Sequence, residues 1–208
     1  MICTDKICFI HLPKTGGTFV RMCMGDIFDN TYFDDGGSGL KEHSYPEKKM
    51  DQYTFGFIRN PFDWYVSLWC HVKKKPDGIK RTQKYYDEDF NMFLNSLLCN
   101  PSLRIGGNKG WLSKVVFSDM HIAGVGLLTY MHDMMYVYVD EVCMFEDIRV
   151  EAVRMFSNLG VSNLDVVYNI PPAKSSDRLH YHNYYNDESR DIVSKMDKVL
   201  LEKYGYNF

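Results

Sequence analysis

Residues 6–28 read KICFIHLPKTGGTFVRMCMGDIF and combine an apolar run, a glycine turn and an amphipathic segment, in that order. The run Ile7–Leu12 has the length of a strand, and Pro13 ends it. Gly16 and Gly17 supply a turn that tolerates positive φ and lets a ligand approach the main chain. From Thr18 onward, apolar residues recur at helical spacing, namely Phe19, Met22, Cys23 and Ile27. The stretch therefore predicts a strand, a tight turn and a helix.

This order of elements predicts an anion site. The first amides of a helix have no partner within the helix, and the helix dipole favours negative charge there. Lys14 adds a full positive charge, and the hydroxyls of Thr15 and Thr18 add donors. In the common P-loop the lysine follows the glycines, whereas Lys14 precedes them. The alternative is an ordinary strand-to-helix turn that carries a surface lysine.

The segment PKTGGT resembles the 5′-phosphosulfate-binding loop of sulfotransferases that use 3′-phosphoadenosine 5′-phosphosulfate (PAPS). The resemblance implies that the whole loop binds this cofactor, namely Pro13, Lys14, Thr15, Gly16, Gly17 and Thr18. It also implies a catalytic role for Lys14, which would lie against the bridging oxygen and neutralise charge on the leaving group.

A second pair of residues predicts another phosphate contact. The apolar run Tyr53–Ile58 reads as a strand, Arg59 follows it, and a helix begins at Pro61. An arginine at a strand end can bind a phosphate with two N–H groups, and Ser67 lies two helical turns further on. The surrounding FGFIRNPFDWYVSLW resembles bacterial and Golgi-type carbohydrate sulfotransferases, which implies that Arg59 and Ser67 bind the 3′-phosphate. A capped helix with a salt-bridged arginine is the alternative.

Three further segments resemble this family. Residues 145–148 (FEDI) resemble its F/Y-E-[DN]-L segment, and Lys174 and Ser175 resemble residues that would close a loop over the nucleotide. His43 sits at a position where the family reads K-H-A-[TS], but here the text is KEHS. His43 is therefore one candidate for the general base, and Glu42 is the other.

The resemblance implies a function. A sulfuryl group would pass in line from PAPS to an acceptor hydroxyl on a carbohydrate or other small molecule, leaving 3′-phosphoadenosine 5′-phosphate. No metal is expected, because Lys14 and the loop amides supply the positive field. The alternatives are a P-loop nucleotide kinase and a catalytically inactive nucleotide-binding protein.

Composition restricts the class of protein. A chain of 208 residues suits one domain, residues 1–208, and the net charge of −3 disfavours a nucleic-acid partner. No apolar run is long enough for a membrane span, and no secretory signal is evident, so a cytoplasmic protein is expected. In that setting the scattered cysteines are expected to be reduced, and their spacing does not suggest a metal site. The sequence leaves the oligomeric state open.

The pattern of elements predicts an α/β fold. Strands alternate with helices, which indicates a P-loop-like, mainly parallel sheet with helices on both faces. Ligands bind such sheets beyond the carboxyl ends of the strands, so Lys14 and Arg59 are expected to converge. The remaining predicted elements are strands over Met134–Val139 and Val142–Phe145, a helix after Glu146-Asp147, and a last helix over Asp187–Lys203. A further helix is predicted after its cap Asp87, with an apolar face formed by Phe90, Phe93, Leu94, Leu97 and Leu98.

Overall fold

The computed structural model describes residues 1–33, 45–73, 89–100, 117–171 and 178–208. The chain falls into two compact units. The first unit comprises residues 1–59 and 134–175, and the second comprises residues 60–133 and 176–208. That the chain is one domain over residues 1–208 stays a prediction.

The first unit is built on a five-stranded mixed sheet with helices packed against it, which confirms the predicted α/β class. Its strands are β1 Ile2–Cys3, β2 Ile7–Ile10, β3 Tyr32–Phe33, β4 Tyr53–Ile58 and β5 Glu141–Met144. Their order across the sheet is β3-β1-β2-β4-β5. Strand β4 pairs in parallel with β2 and with β5, whereas β1 pairs antiparallel with β2 and β3. The carboxyl ends of β2, β4 and β5 therefore lie at the same edge.

The antiparallel part of the sheet differs from the expected mainly parallel arrangement. For β1 and β2 the cause is the turn between them, where the Thr4 amide donates to the Ile7 carbonyl at 2.8 Å. The Thr4 hydroxyl oxygen accepts from the Ile7 amide at 3.1 Å. A turn this short can join only antiparallel strands, since a parallel pair needs a long crossover. The prediction is right for β2, β4 and β5 and wrong for β1 and β3.

The helices among the described residues are α1 Gly17–Ile27, α2 Pro61–Lys73, α3 Phe90–Cys99, α4 Phe117–Ala123, α5 Leu127–Met135, α6 Ile148–Asn158, α7 Asp165–Asn169, α8 Asp187–Met196 and α9 Lys198–Tyr204. A short 3₁₀ helix covers Tyr181–Asn183. Helices α1, α6 and α7 belong to the first unit, and the others belong to the second, except that the last two residues of α5 are counted with the first.

A hydrophobic core cluster of the first unit lies on one face of the sheet. Phe9, Phe55 and Phe57 alternate along β2 and β4 with residues of the opposite face, as strand geometry requires. Helices α1, α6 and α7 cover them with apolar side chains, chiefly Phe19, Val20, Met24, Met155, Phe156 and Val167. Burial of this apolar surface positions the turn between β2 and α1 at the edge of the sheet.

The prediction of a strand over Met134–Val139 is wrong. Met134 and Met135 end helix α5, and a turn follows in which the Val139 amide donates to the Tyr136 carbonyl at 3.3 Å. Tyr136 is buried because Gly56 leaves room for its ring on the sheet, where an added Cβ would lie 2.5 Å from Cζ of Tyr136. The alternation of apolar residues thus reflects one buried tyrosine in a turn.

In the second unit, side chains cap α2 and α3, and the apolar face predicted for α3 is right. The Asn60 side chain accepts from the Phe62 amide at 3.0 Å and so caps α2. The buried side chains of α3 are the predicted ones, namely Phe90, Phe93, Leu94, Leu97 and Leu98. Asp89 caps α3, however, by accepting from the Asn91 and Met92 amides. The predicted cap, Asp87, lies outside the described residues.

The predicted last helix is divided at Asp197 into α8 and α9. The Asp197 carboxylate is fully buried and accepts from the Tyr65 hydroxyl at 2.7 Å and the Thr129 amide at 2.9 Å. Thr129 lies in the first turn of α5, so Asp197 caps that helix from a distant part of the chain. Asp197, whose side chain makes these contacts, is the residue at which helix α8 ends and after which α9 begins.

Cys3 and Cys8 are joined by a disulfide. They face each other directly in the register of β1 and β2. The expectation of reduced cysteines is therefore wrong for this pair, while Cys23, Cys70, Cys99 and Cys143 are free thiols.

Candidate functional site

The turn between β2 and α1 has an unusual main-chain conformation. Lys14 has a φ of 69° and Gly16 a φ of 83°, so two of three consecutive residues are left-handed. For Lys14, the only non-glycine residue with positive φ in the described part of the chain, this conformation is strained. The Thr15 hydroxyl is fully buried and donates to the Leu12 carbonyl at 2.6 Å, which fixes the turn from within. Strain held by surrounding contacts is common where the main chain serves a ligand.

The turn presents an uncapped helix N-terminus. Gly16 is the N-cap residue of α1, no side chain caps this helix, and its first turn carries no acidic residue. The Val20 amide is the first that bonds back to the Gly16 carbonyl, at 3.2 Å. The amides of Gly17, Thr18 and Phe19 therefore precede the helical ladder, where the dipole is positive. This arrangement suits an anion.

Both glycines of the turn are closely packed. A Cβ at Gly17 would lie 1.9 Å from Nε2 of His11, whose ring is buried and stacks on Phe9. A Cβ at Gly16 would lie 2.3 Å from Cδ1 of Ile148. No side chain larger than hydrogen fits at either position without movement of its neighbours. Packing therefore brings the main chain of the turn to the edge of the sheet.

Arg59 lies beside this turn. It follows β4, whose Gly56 pairs with Ile10 of β2, so both strands deliver their next residues to the same edge. Nη1 of Arg59 donates to the main-chain oxygen of Lys14 at 3.1 Å. Its side chain is largely buried, with a relative exposure of 9%. The two cationic residues predicted to converge are therefore neighbours.

Phe145 completes this edge of the sheet. It directly follows β5, and its amide donates to the Ile58 carbonyl at 2.7 Å. Cζ of Arg59 lies 4.3 Å from the centroid of the Phe145 ring. The same ring approaches Gly16, since a Cβ there would lie 3.1 Å from Cε2 of Phe145. One aromatic ring thus contacts both the arginine and the turn.

The Tyr136 hydroxyl contacts the carboxyl ends of β2 and β4. Its hydroxyl donates to the Phe57 carbonyl at 2.9 Å and lies 3.4 Å from the Ile10 carbonyl. Both acceptors are at the carboxyl ends of parallel strands, one in β4 and one in β2. The contact fixes the spacing of the strands that precede Arg59 and the turn.

The other predicted site residues have different positions. Pro13 is buried in the turn, Thr18 is half-buried at the start of α1, and Ser67 is buried in α2 of the second unit. The Thr15 hydroxyl proton is used inside the turn and is not offered to a ligand in this arrangement. The predicted bases Glu42 and His43 and the predicted loop residues Lys174 and Ser175 lie outside the described residues. Their roles stay predictions.

Three residues of this edge, His11, Tyr136 and Phe145, were not predicted as part of the site. A sequence signal existed for Phe145, because it ends the predicted strand Val142–Phe145, and strands paired in parallel end at the same edge. No local pattern indicates His11 or Tyr136. The His11 ring fills the space beside Gly17, across the turn, and the Tyr136 ring fills the space beside Gly56, which is far away in the sequence.

A group of metal-ligand types lies elsewhere in the first unit. Donor atoms of Glu141, Cys143 and Glu151 lie within 4.8 Å of one another. The Arg154 guanidinium already occupies this cluster, since it donates to both carboxylates and lies 3.5 Å from the Cys143 sulfur. Burial, followed by the nearby carboxylates, raises the pKa of the Cys143 thiol to about 12, so the thiol is protonated at neutral pH. The arrangement is that of an ion-pair network.

Comparisons with known proteins leave the family open. No model of a known protein family matches the chain, and no curated protein matches it. Within the described ranges, no helix combines the length and the apolar character needed to cross a membrane.

Proposed function

We propose that this chain is a PAPS-dependent sulfotransferase that transfers a sulfuryl group to an acceptor hydroxyl on a carbohydrate. The observation that carries the proposal is the contact between Arg59 and Lys14, because it joins a guanidinium to the glycine turn. A nucleotide with phosphates at both ends of its ribose needs two such groups close together. The proposal includes the finer fold expectation, a P-loop-like sheet with helices on both faces.

The residues of the turn fit the 5′ end of this cofactor. The amides of Gly17 and Thr18 begin a helix that no side chain caps, so a phosphate can accept from them. The strained main chain of Lys14 places a cationic side chain at the same turn. On this proposal Lys14 neutralises the charge that develops on the leaving phosphate oxygen.

Arg59 fits the 3′-phosphate. Its contact with the Phe145 ring holds the cation without neutralising it, because an aromatic face carries no net charge. Arg59 is proposed to bind the phosphate through its planar guanidinium, a group that can contact two phosphate oxygens. Ser67 is proposed to donate to the same phosphate, and Lys174 and Ser175 are proposed to close over the nucleotide.

PAPS would supply the sulfuryl group for this chemistry. As the acceptor oxygen forms its bond to sulfur, the bond from sulfur to the 5′-phosphate oxygen breaks, and 3′-phosphoadenosine 5′-phosphate leaves. The hydroxyl proton passes to a general base, for which His43 and Glu42 are the candidates. The protein contributes positioning and charge stabilisation, by the logic that also applies to phosphoryl transfer.

Isothermal titration calorimetry tests the cofactor assignment. We expect 3′-phosphoadenosine 5′-phosphate to bind without metal and to bind more tightly than ATP with Mg²⁺. Preference for Mg²⁺-ATP would overturn the assignment in favour of a nucleotide kinase. Tight binding of the bisphosphate without transfer from PAPS to any member of a glycan and alcohol panel would favour an inactive nucleotide-binding protein.

The Lys14→Ala variant tests the leaving-group role. Removal of a charge that acts mainly in the transition state should lower sulfate turnover by about a hundredfold or more. Affinity for 3′-phosphoadenosine 5′-phosphate should fall much less. Lys6→Ala is the matched control, because Lys6 is exposed and precedes β2 at its opposite end. Unchanged turnover in the Lys14 variant would reject this role.

Turnover measured in His43→Ala and in Glu42→Ala would identify the general base.

A further inference from the structure

We propose that Phe145 is a positioning residue that holds Arg59 and the glycine turn in one arrangement. The inference rests on the proposed function for its biological purpose, because the arrangement is the one a doubly phosphorylated adenosine would need. Neither the resemblance to sulfotransferases nor the motif FEDI assigns this role to the phenyl ring.

Phe145 is fixed at three points. Its amide donates at 2.7 Å to the carbonyl of Ile58, the residue that directly precedes Arg59 in the chain. Cζ of Arg59 lies over its ring, 4.3 Å from the ring centroid. Its ring edge is so close to Gly16 that an added Cβ would lie 3.1 Å from Cε2 and 3.2 Å from Cδ2. The ring therefore lies against both the arginine and the N-cap of α1.

The nature of this contact matters for an anion site. A carboxylate could also orient a guanidinium, but it would neutralise the charge and occupy its N–H groups. An aromatic face attracts the cation through its quadrupole and does not itself accept from the N–H groups at the edge of the guanidinium plane. One of these groups binds the Lys14 carbonyl at 3.1 Å, and this bond connects the arginine to the turn. Phe145 thus orders Arg59 through a contact that does not itself neutralise the guanidinium.

A set of substitutions tests the inference. Phe145→Leu and Phe145→Met remove the ring but keep an apolar side chain, whereas Phe145→Tyr keeps the ring. Phe28→Leu is the matched control, because Phe28 is a partly buried phenylalanine of the same unit that packs on Phe156 with ring centroids 5.9 Å apart. Thermal unfolding of each variant shows whether it is folded, and the Met variant replaces the Leu variant if the latter does not fold.

Two readouts separate positioning from general packing. The first is the Nε–H resonance of Arg59 in the ¹⁵N NMR spectrum of the free protein. The ring should shift this resonance upfield in wild type and Phe145→Tyr, and the shift should disappear in Phe145→Leu. The second is affinity for 3′-phosphoadenosine 5′-phosphate and for adenosine 5′-phosphate. We expect Phe145→Leu to lose about tenfold in affinity for the bisphosphate, near the upper end of a cation–π contribution, and clearly less for the monophosphate.

The outcomes distinguish this inference from the proposed function. An Arg59 resonance that is the same in wild type and Phe145→Leu would overturn the inference, as would equal affinity of both proteins for the bisphosphate. Equal losses in Phe145→Leu and Phe28→Leu would also overturn it, since they would indicate packing alone. If wild type binds no bisphosphate, the proposed function is wrong. In that case the Arg59 resonance and a titration with inorganic pyrophosphate decide whether Phe145 positions the arginine.

Discussion

Two glycines of helix α1 occupy opposite environments. A Cβ at Gly17 would lie 1.9 Å from the His11 ring, whereas a Cβ at Gly25 would have no neighbour within 4 Å. Gly17 is required because the imidazole fills the space beside the first turn of the helix. Gly25 lies in the last turn of the helix, where glycine costs conformational entropy without any packing benefit.

Alanine at these two positions should therefore have opposite effects. We expect Gly25→Ala to raise the free energy of unfolding by about 0.5–1 kcal/mol, the usual difference between the two residues in a helix. Gly17→Ala should lower it by about 1–3 kcal/mol through overpacking. Urea denaturation measures both values.

A double-mutant cycle identifies the cause of the Gly17 effect. In a His11→Ala background the added methyl group has room, so the cost of Gly17→Ala should become much smaller. A cost that is unchanged in that background would show that the imidazole is not the reason for glycine at this position. His11→Ala alone also reports what the buried ring contributes to stability.

Helices α8 and α9 are separated by a residue whose charge state should affect folding. Burial raises the pKa of the Asp197 carboxyl, while hydrogen bonds from Tyr65 and Thr129 oppose this rise. The folded protein therefore keeps this proton to a higher pH than the unfolded chain does. Its contribution to stability is fully present below the unfolded pKa of about 4 and is lost as pH rises through the folded pKa.

The Asp197→Asn variant tests this dependence. Asparagine cannot ionise, so wild type should lose stability relative to the variant as pH rises from about 4 towards neutrality. Denaturation at a series of pH values measures the difference between the two. Asp187→Asn is the control, because Asp187 begins α8, the helix that precedes Asp197, and its side chain has a relative exposure of 92%. A difference between wild type and Asp197→Asn that does not vary with pH would contradict the prediction.

Secondary-structure elements differed in how well sequence predicts them. Strand β4 was predicted with its observed ends, because its apolar run is followed at once by Arg59, the capping residue Asn60 and Pro61. The false strand over Met134–Val139 has the same kind of alternation. This segment forms a turn instead of a strand, because the Tyr136 ring packs against Gly56. No local sequence pattern indicates that contact.

Across the first unit, the strands should differ widely in protection from hydrogen exchange. Strand β4 is bonded to parallel neighbours on both sides, and Thr54–Ile58 are buried. Strand β3 has only two residues at the end of the strand order, and both are exposed. We expect β4 amides to exchange most slowly and β3 amides among the fastest, because exchange requires opening of these contacts. Similar rates in β3 and β4, measured by NMR, would contradict this view of the sheet.

The sequence determined the strand, turn and helix around Lys14 and the strand that ends at Arg59. These features depend on residue types within a few positions of each other, such as glycine for a left-handed turn and alternation for a strand. Tertiary structure decided that β1 pairs antiparallel, that Asp197 interrupts a helix to cap another, and that Phe145 stacks on Arg59. The Asp197 cap and the Phe145 contact depend on which distant segments become neighbours when the chain buries its apolar surface. The antiparallel pairing of β1 with β2 depends on the short turn that joins them.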